Sequence, residues 1–135
     1  MKKLAIAIAG VLIVGLVHAE SLVGVDKMIC ATTQVQICIE YDTCYAAAPE
    51  ELDMPEFVVI DLDEKTISTT RASAQNRSTS FTSVDRDSGF IYLQGSEGGR
   101  VFSFVIHEGT GRITAALVRD GISVNVFGAC TDSDI

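Results

Sequence analysis

The chain has no tryptophan, only two prolines and only two histidines. It also has no Cys-x-x-Cys and no Gly-x-Ser-x-Gly motif. It therefore offers neither the dithiol of a redox enzyme nor the nucleophile turn of an α/β-hydrolase. Beyond the first 20 residues no heptad or 3.6-residue apolar period persists, which argues against a helical bundle. Because these common enzyme signatures are missing, we expect a protein that is not an enzyme and that carries no cofactor.

Basic residues are scarce in comparison with acidic ones. The chain has 10 Lys and Arg against 18 Asp and Glu, and its formal net charge is −8 at pH 7. Nucleic-acid binding needs clustered Lys and Arg that neutralise phosphates. We therefore expect no nucleic acid and no anionic membrane surface as a partner. A basic exported protein would suit this charge, which also favours solubility.

Long apolar segments are lacking too, except at the N terminus. Two lysines precede a run of 14 apolar residues from Leu4 to Val17, and Val17-His18-Ala19 suits a cleavage site. The run is shorter than the roughly 20 residues of a membrane-spanning helix. The sequence thus predicts a cleavable signal peptide over residues 1–19 and a single β domain over residues 20–135. We expect this domain to be periplasmic or secreted, without membrane insertion after cleavage.

Four cysteines follow the predicted cleavage site, namely Cys30, Cys38, Cys44 and Cys130. An even number of cysteines in a small exported domain is typical of two disulfides, and three pairings are possible. We favour Cys38–Cys44, which closes a short loop, together with Cys30–Cys130, which ties the two ends of the domain. A zinc site is the main alternative, but the spacing lacks the usual closely spaced pairs.

The ordered-looking segments alternate between apolar and polar residues. Phe102, Phe104 and Ile106, for example, would share one face of a strand, and this two-residue period is typical of a half-buried sheet. Turn signals such as Asp120-Gly121 recur about every ten residues in the C-terminal part. We predict strands near residues 27–39, 57–62, 66–71, 79–85, 90–95, 100–107, 112–119 and 122–128.

Eight short strands in sequence order predict an all-β antiparallel meander, either an up-and-down barrel or a rolled sheet, because closure removes exposed edges. A bridge from Cys30 to Cys130 would place the first and last strands side by side. An open sandwich of two sheets is the alternative. Two segments interrupt the pattern. Residues 40–56 contain both prolines, with a possible helical turn at Pro49, and residues 71–78 are polar and form a predicted loop.

Three short motifs mark the C-terminal half of the chain: Gly99-Arg100-x-x-Ser103-x-x-Ile106, Thr110-Gly111-Arg112-x-Thr114, and Phe127-Gly128-Ala129-Cys130-Thr131. In these residues the chain resembles a group of small, exported, uncharacterised bacterial proteins. The cysteines and residues 60–68 extend the resemblance over most of the predicted mature chain. The resemblance brings no activity with it. A looser likeness to the small exported barrels that inhibit lysozyme rests on size, compartment, strand number and a C-terminal cysteine.

Two residue groups are candidates for chemical sites. His107 is the only histidine after the signal peptide, and the alternation places it at a strand end, opposite the face of Phe104. A general base needs a nucleophile or a substrate proton within reach, and nothing selects one, so we interpret His107 as an exposed strand residue. Asp61, Asp63 and Glu64 could hold Ca²⁺, yet a solvated hairpin turn explains them better.

Three further groups bear on binding. Between Glu40 and Glu64 there are nine acidic residues and no Lys or Arg, so this segment is a solvated loop or a docking surface for a basic protein. We expect Arg100 and Arg112 to pair with Glu97 or Glu108 rather than to bind an anion. Phenylalanines could line a ligand cavity, but small barrels usually fill their interiors, so we predict core packing for Phe102, Phe104 and Phe127.

These observations favour an exported, non-enzymatic binding protein. The preferred partner is a basic exported protein such as a lysozyme, which the domain would inhibit. The alternative is a lipocalin-like carrier, which would hold a small apolar ligand in an empty cavity. The sequence contains no information about oligomeric state.

Overall fold

The computed structural model describes residues 21–133, and it is all-β apart from two single-turn 3-10 helices at Pro49–Leu52 and Arg71–Ser73. The signal peptide predicted for residues 1–19 and its cleavage site lie outside the described residues. The strands are β1 (Lys27–Ile39), β2 (Cys44–Ala47), β3 (Phe57–Asp61), β4 (Thr66–Thr69), β5 (Ser78–Ser80), β6 (Ser83–Asp87), β7 (Phe90–Glu97), β8 (Arg100–His107), β9 (Arg112–Arg119) and β10 (Ile122–Asp132).

The strands form one antiparallel sheet in the order β5-β4-β3-β1-β10-β9-β8-β7-β6, and β2 pairs separately with β1. The sheet curls into a half-barrel. Its two outermost strands, β5 and β6, are joined by Phe81 and Thr82 alone. The Phe81 N–H donates to the Lys65 carbonyl at 2.8 Å, and the Thr82 N–H donates to the Gln94 carbonyl at 2.8 Å. The chain therefore crosses from one edge of the sheet to the other at this point. The rolled sheet confirms the predicted class and excludes the sandwich.

Seven of the eight predicted strands match a single observed strand. The predicted strand at residues 79–85 is wrong as one element, because β5 ends at Ser80 and β6 begins at Ser83. Between them Phe81 turns inward and is only 5% exposed, while the flanking residues pair with different neighbours. Strand β2 was not predicted. It lies within residues 40–56, where the Cys38–Cys44 disulfide joins it to β1.

Both favoured disulfides are confirmed. Cys30 lies directly opposite Cys130 in the β1–β10 pair, so the bridge joins the first and last long strands as predicted. Cys38 lies directly opposite Cys44 in the β1–β2 pair. The first bridge is buried, whereas Cys44 of the second is exposed. Two disulfides with no free cysteine among residues 21–133 are typical of a protein from an oxidising compartment.

The core lies on the concave face of the sheet, where the alternating apolar residues of the strands meet. Phe81 contacts Phe102 and Phe104 edge to face, with ring centroids 5.8 and 5.5 Å apart, a favourable aromatic arrangement. The fully buried large side chains are Leu22, Met28, Val35, Ile60, Ile91, Leu93 and Ile106.

The segment before β1 is clamped against the barrel by Arg86. Its Nε lies 3.3 Å from Glu108 Oε1, its Nη1 lies 3.3 Å from Asp26 Oδ1, and its Nη2 donates to the Val25 carbonyl. Glu108 is only 9% exposed, and a charge buried to that extent needs a partner. The Leu22 N–H also donates to the Glu108 carbonyl at 2.7 Å. These contacts hold Leu22 in the core, although it lies outside every predicted strand.

Candidate functional site

The concave side of the curled sheet borders a cavity of about 570 Å³ that is open to solvent on one side. Its inner wall is apolar because the inward positions of β8, β9 and β10 carry large aliphatic and aromatic residues. These side chains include Phe102, Phe104, Ile113, Leu117 and Val126. Ala115 also faces the cavity, and its small side chain leaves room in the middle of β9. The concave face thus combines a packed core with a solvent-accessible cavity that has an apolar wall and a polar border.

Two segments border the cavity, residues 52–55 and residues 76–79, and the second of them continues into β5. Arg77 joins them: its Nη1 lies 3.4 Å from Asp53 Oδ2, and its Nη2 donates to the Asp53 carbonyl at 3.1 Å. The same Nη2 also donates to Gln75 Oε1 at 2.7 Å. The 3-10 turns in this region, Pro49–Leu52 and Arg71–Ser73, contain no buried residue. We call the Arg77–Asp53 contact the latch, since it connects the two segments that border the cavity.

The predicted partners of Arg100 and Arg112 are wrong. Glu108 pairs with Arg86, and Glu97 Oε2 accepts a hydrogen bond from Thr79 Oγ1 at 2.7 Å. Within residues 21–133 neither Arg100 nor Arg112 forms an ion pair. The two arginines are also separated by the sheet. Arg100 lines the cavity beside Glu97, whereas Arg112 points away from it. The sequence could not reveal this, because the competing partners come from distant strands.

His107 is half-buried rather than exposed. Its ring packs edge to face on Phe90 with centroids 5.1 Å apart. Its Nδ1 accepts the backbone N–H of Thr110 at 3.1 Å and lies 3.0 Å from the Thr110 hydroxyl. Because a backbone N–H donates to Nδ1, the neutral ring carries its proton on Nε2. These contacts stabilise the β8–β9 turn.

The carboxylates around Asp61 belong to a turn. Asp61 Oδ1 accepts the Glu64 N–H at 2.9 Å, and Asp61 Oδ2 lies 4.0 Å from Lys27 Nζ. A side chain that bonds its own turn in this way is a known role of Asp. Between Ser21 and Ser133 no group of three or more His, Cys, Asp or Glu residues is arranged to hold a metal ion.

Residues 40–56 contain β2 and a 3-10 turn, and their six acidic side chains are all exposed. Of these six, Asp53 alone is in an ion pair within the described part of the chain. The segment is therefore a solvated acidic surface.

Phe102 and Phe104 are buried as predicted and also line the cavity. Phe127 is 39% exposed on the outer face, so its predicted core position is wrong.

Several motif residues of the C-terminal half have structural roles. A Cβ atom on Gly111 would collide with the Cys130 carbonyl, and one on Gly128 would collide with the Ala31 carbonyl. Glycine at these two positions lets neighbouring backbones approach closely. Cys130 forms the buried disulfide, and Thr110 holds His107. These four residues therefore help to maintain the half-barrel.

No helix among residues 21–133 combines the length and the apolarity that a membrane-spanning helix requires. Comparison with known proteins adds no family: no family model, no curated protein and no solved structure matches this chain.

Proposed function

We propose that this protein binds a small, predominantly apolar molecule in the cavity of its half-barrel. The cavity of about 570 Å³ carries this proposal. Ligand pockets of roughly 300–1,000 Å³ with mainly apolar walls are typical of small-molecule sites. Barrels of about eight strands can hold one small ligand when side chains leave the interior unfilled. This function corresponds to the carrier hypothesis, and the domain acts without catalysis.

The polar residues that line the cavity indicate the chemical character of the ligand. Arg77 and Arg100 provide hydrogen-bond donors there, while Phe104 and Ile113 belong to the apolar wall. A few polar groups beside an apolar wall orient a ligand that has one polar end. A ligand of about 25 non-hydrogen atoms, at roughly 0.3 kcal/mol each, would bind with a Kd in the low micromolar range.

Filling the cavity should block binding. Ala115→Leu adds three carbons to the middle of the apolar wall, and we expect it to weaken binding of the neutral dye N-phenyl-1-naphthylamine about tenfold or more. The dye is titrated by fluorescence against the domain with both disulfides formed. Ala116→Leu is the matched control, since the next residue of β9 points outward and is exposed. Equal dye affinity of the two variants, with thermal unfolding unchanged, would contradict a binding site in the cavity.

The latch should control how fast a ligand enters and leaves. Asp53→Asn removes the ionic part of the contact with Arg77, and we expect the dye to dissociate about two to five times faster. An exposed ion pair contributes less than about 1 kcal/mol, which sets this range. Stopped-flow displacement measures the rate. Glu51→Gln is the control, because Glu51 is exposed and forms no ion pair within residues 21–133. A rate equal to that of Glu51→Gln would show that the latch has no such role.

Docking of a basic exported protein, for example a lysozyme, is the second candidate function. It is supported by the six exposed acidic side chains of residues 40–56, five of which have no cationic partner among the described residues. Electrostatic complementarity of this kind raises association rates. We rank it second because exposed acidic residues are common on soluble proteins, whereas a cavity with an apolar wall and a few polar groups is typical of a ligand site. Ala115→Leu would leave this docking unchanged, so the same variant separates the two functions.

A further inference from the structure

The convex face of β7, β8, β9 and β10 carries no acidic residue. Within the shared register, strand alternation points four residues of each strand outward and aligns them into a four-by-four grid. Although the chain has 18 acidic residues, the only full charge in the grid is Arg112. We call this grid the neutral face. Its members are Phe90, Tyr92, Gln94, Ser96, Val101, Ser103, Val105, His107, Arg112, Thr114, Ala116, Val118, Ser123, Asn125, Phe127 and Ala129.

The neutral face also exposes large apolar side chains in neighbouring pairs. Val101 lies directly opposite Val118 in the β8–β9 register, and they are 57% and 52% exposed. Tyr92 lies opposite Val105 in the β7–β8 register, and they are 38% and 39% exposed. Phe127 lies in the same row as Tyr92, two strands beyond Val105. The row of Gln94, Ser103, Ala116 and Asn125 lies between the two pairs, so the face presents two small apolar clusters among neutral polar side chains. Exposed apolar groups with a polar border occur at protein–protein contact sites.

We infer that the neutral face is the interface of a symmetric dimer of this chain. Residues 21–133 contain eight basic and 16 acidic residues, a net charge of −8, since Lys2, Lys3, Glu20 and Asp134 lie outside them. Two copies repel each other wherever their acidic surfaces meet. Contact through the neutral face reduces this repulsion, because the nearest carboxylates, Asp85 and Asp87 of β6, lie at its edge beside Tyr92 and Phe90. It also covers apolar groups on both copies. In a two-fold dimer the same patch of each copy contacts its counterpart. A patch without acidic residues can do so without bringing like charges into direct contact.

The size of the neutral face predicts a weak dimer. Four strands about 4.8 Å apart and about eight residues long, at roughly 3.4 Å per residue, cover about 500 Å² on each copy. A standard stable interface buries about 800 Å² on each partner. We therefore expect a dissociation constant between about 10 and 500 µM.

Sedimentation velocity of the mature domain between about 5 µM and 1 mM tests this inference. We expect reversible dimerisation that strengthens as salt is raised, because salt screens the repulsion between the two acidic copies. Val105→Asp places two like charges in the interface and should weaken dimerisation at least tenfold. Thr114→Asp, on an exposed polar position beside Val105, should do the same without removing an apolar side chain.

Tyr41→Asp is the control, because Tyr41 is 99% exposed and lies outside the neutral face. It should dimerise like the unmodified domain. A sedimentation coefficient that stays monomeric up to 1 mM would overturn the inference. The inference would also be overturned if Val105→Asp and Thr114→Asp both dimerised like the unmodified domain, or if raising the salt concentration weakened dimerisation.

Discussion

Replacing both Cys30 and Cys130 with alanine should lower the free energy of unfolding by about 4.7 kcal/mol. The bridge spans a sequence separation of 100 residues, and closing a loop of this length removes much entropy from the unfolded chain. Both cysteines are also buried in the core, so their loss removes packing contacts. Urea denaturation of the oxidised domain, followed by circular dichroism, gives the unfolding free energy. Such a loss is comparable with the whole stability of a small domain.

The variant without the Cys38–Cys44 bridge is the matched control. That bridge spans only six residues, and the same entropy relation gives about 2 kcal/mol. We therefore expect the two double variants to differ by more than 2 kcal/mol in the same buffer. Equal losses, or a larger loss from the short loop, would contradict the view that Cys30–Cys130 is the main covalent constraint on the barrel.

Leu22→Ala should destabilise the domain by about 3 kcal/mol. Leu22 is completely buried in the core cluster, and deleting a buried leucine side chain costs about 2–5 kcal/mol because a cavity remains. Val23→Ala is the control, since Val23 is 68% exposed and should change stability by less than about 0.5 kcal/mol. Both values come from urea denaturation of the oxidised domain. Similar losses at the two positions would show that Leu22 is not held in the core.

The contrast between Leu22 and the strand residues shows where pattern reading succeeds. The burial of a residue such as Phe104 can be predicted from the apolar residues two positions away on either side, because alternate residues of a strand point to the same face. Leu22 has no such neighbours. It is buried because distant groups, Arg86 and Glu108, position the segment that carries it. Contacts of this range leave no local signal in the sequence.

The cavity is a second feature that local sequence patterns do not predict. The alternation predicts the strands that form its wall, and it indicates that Phe102 and Phe104 either fill or line an interior. Whether a rolled sheet is filled or hollow depends on its curvature and on the combined volume of the inward side chains. Neither quantity is encoded in any one segment. The latch is a further example, since Arg77 and Asp53 come from loops that lie 24 residues apart.

By itself the sequence determined the all-β class and most strand positions, because the alternation of apolar and polar residues acts through local geometry. For the four cysteines it favoured one of three possible pairings, and the structure decided between them. The tertiary structure alone decided that the chain crosses the barrel edges at Phe81, that Arg86 rather than Arg100 or Arg112 neutralises Glu108, and that the interior keeps an open chamber. Each of these depends on which distant segments meet when the sheet curls, and that is set by the packing of the whole chain.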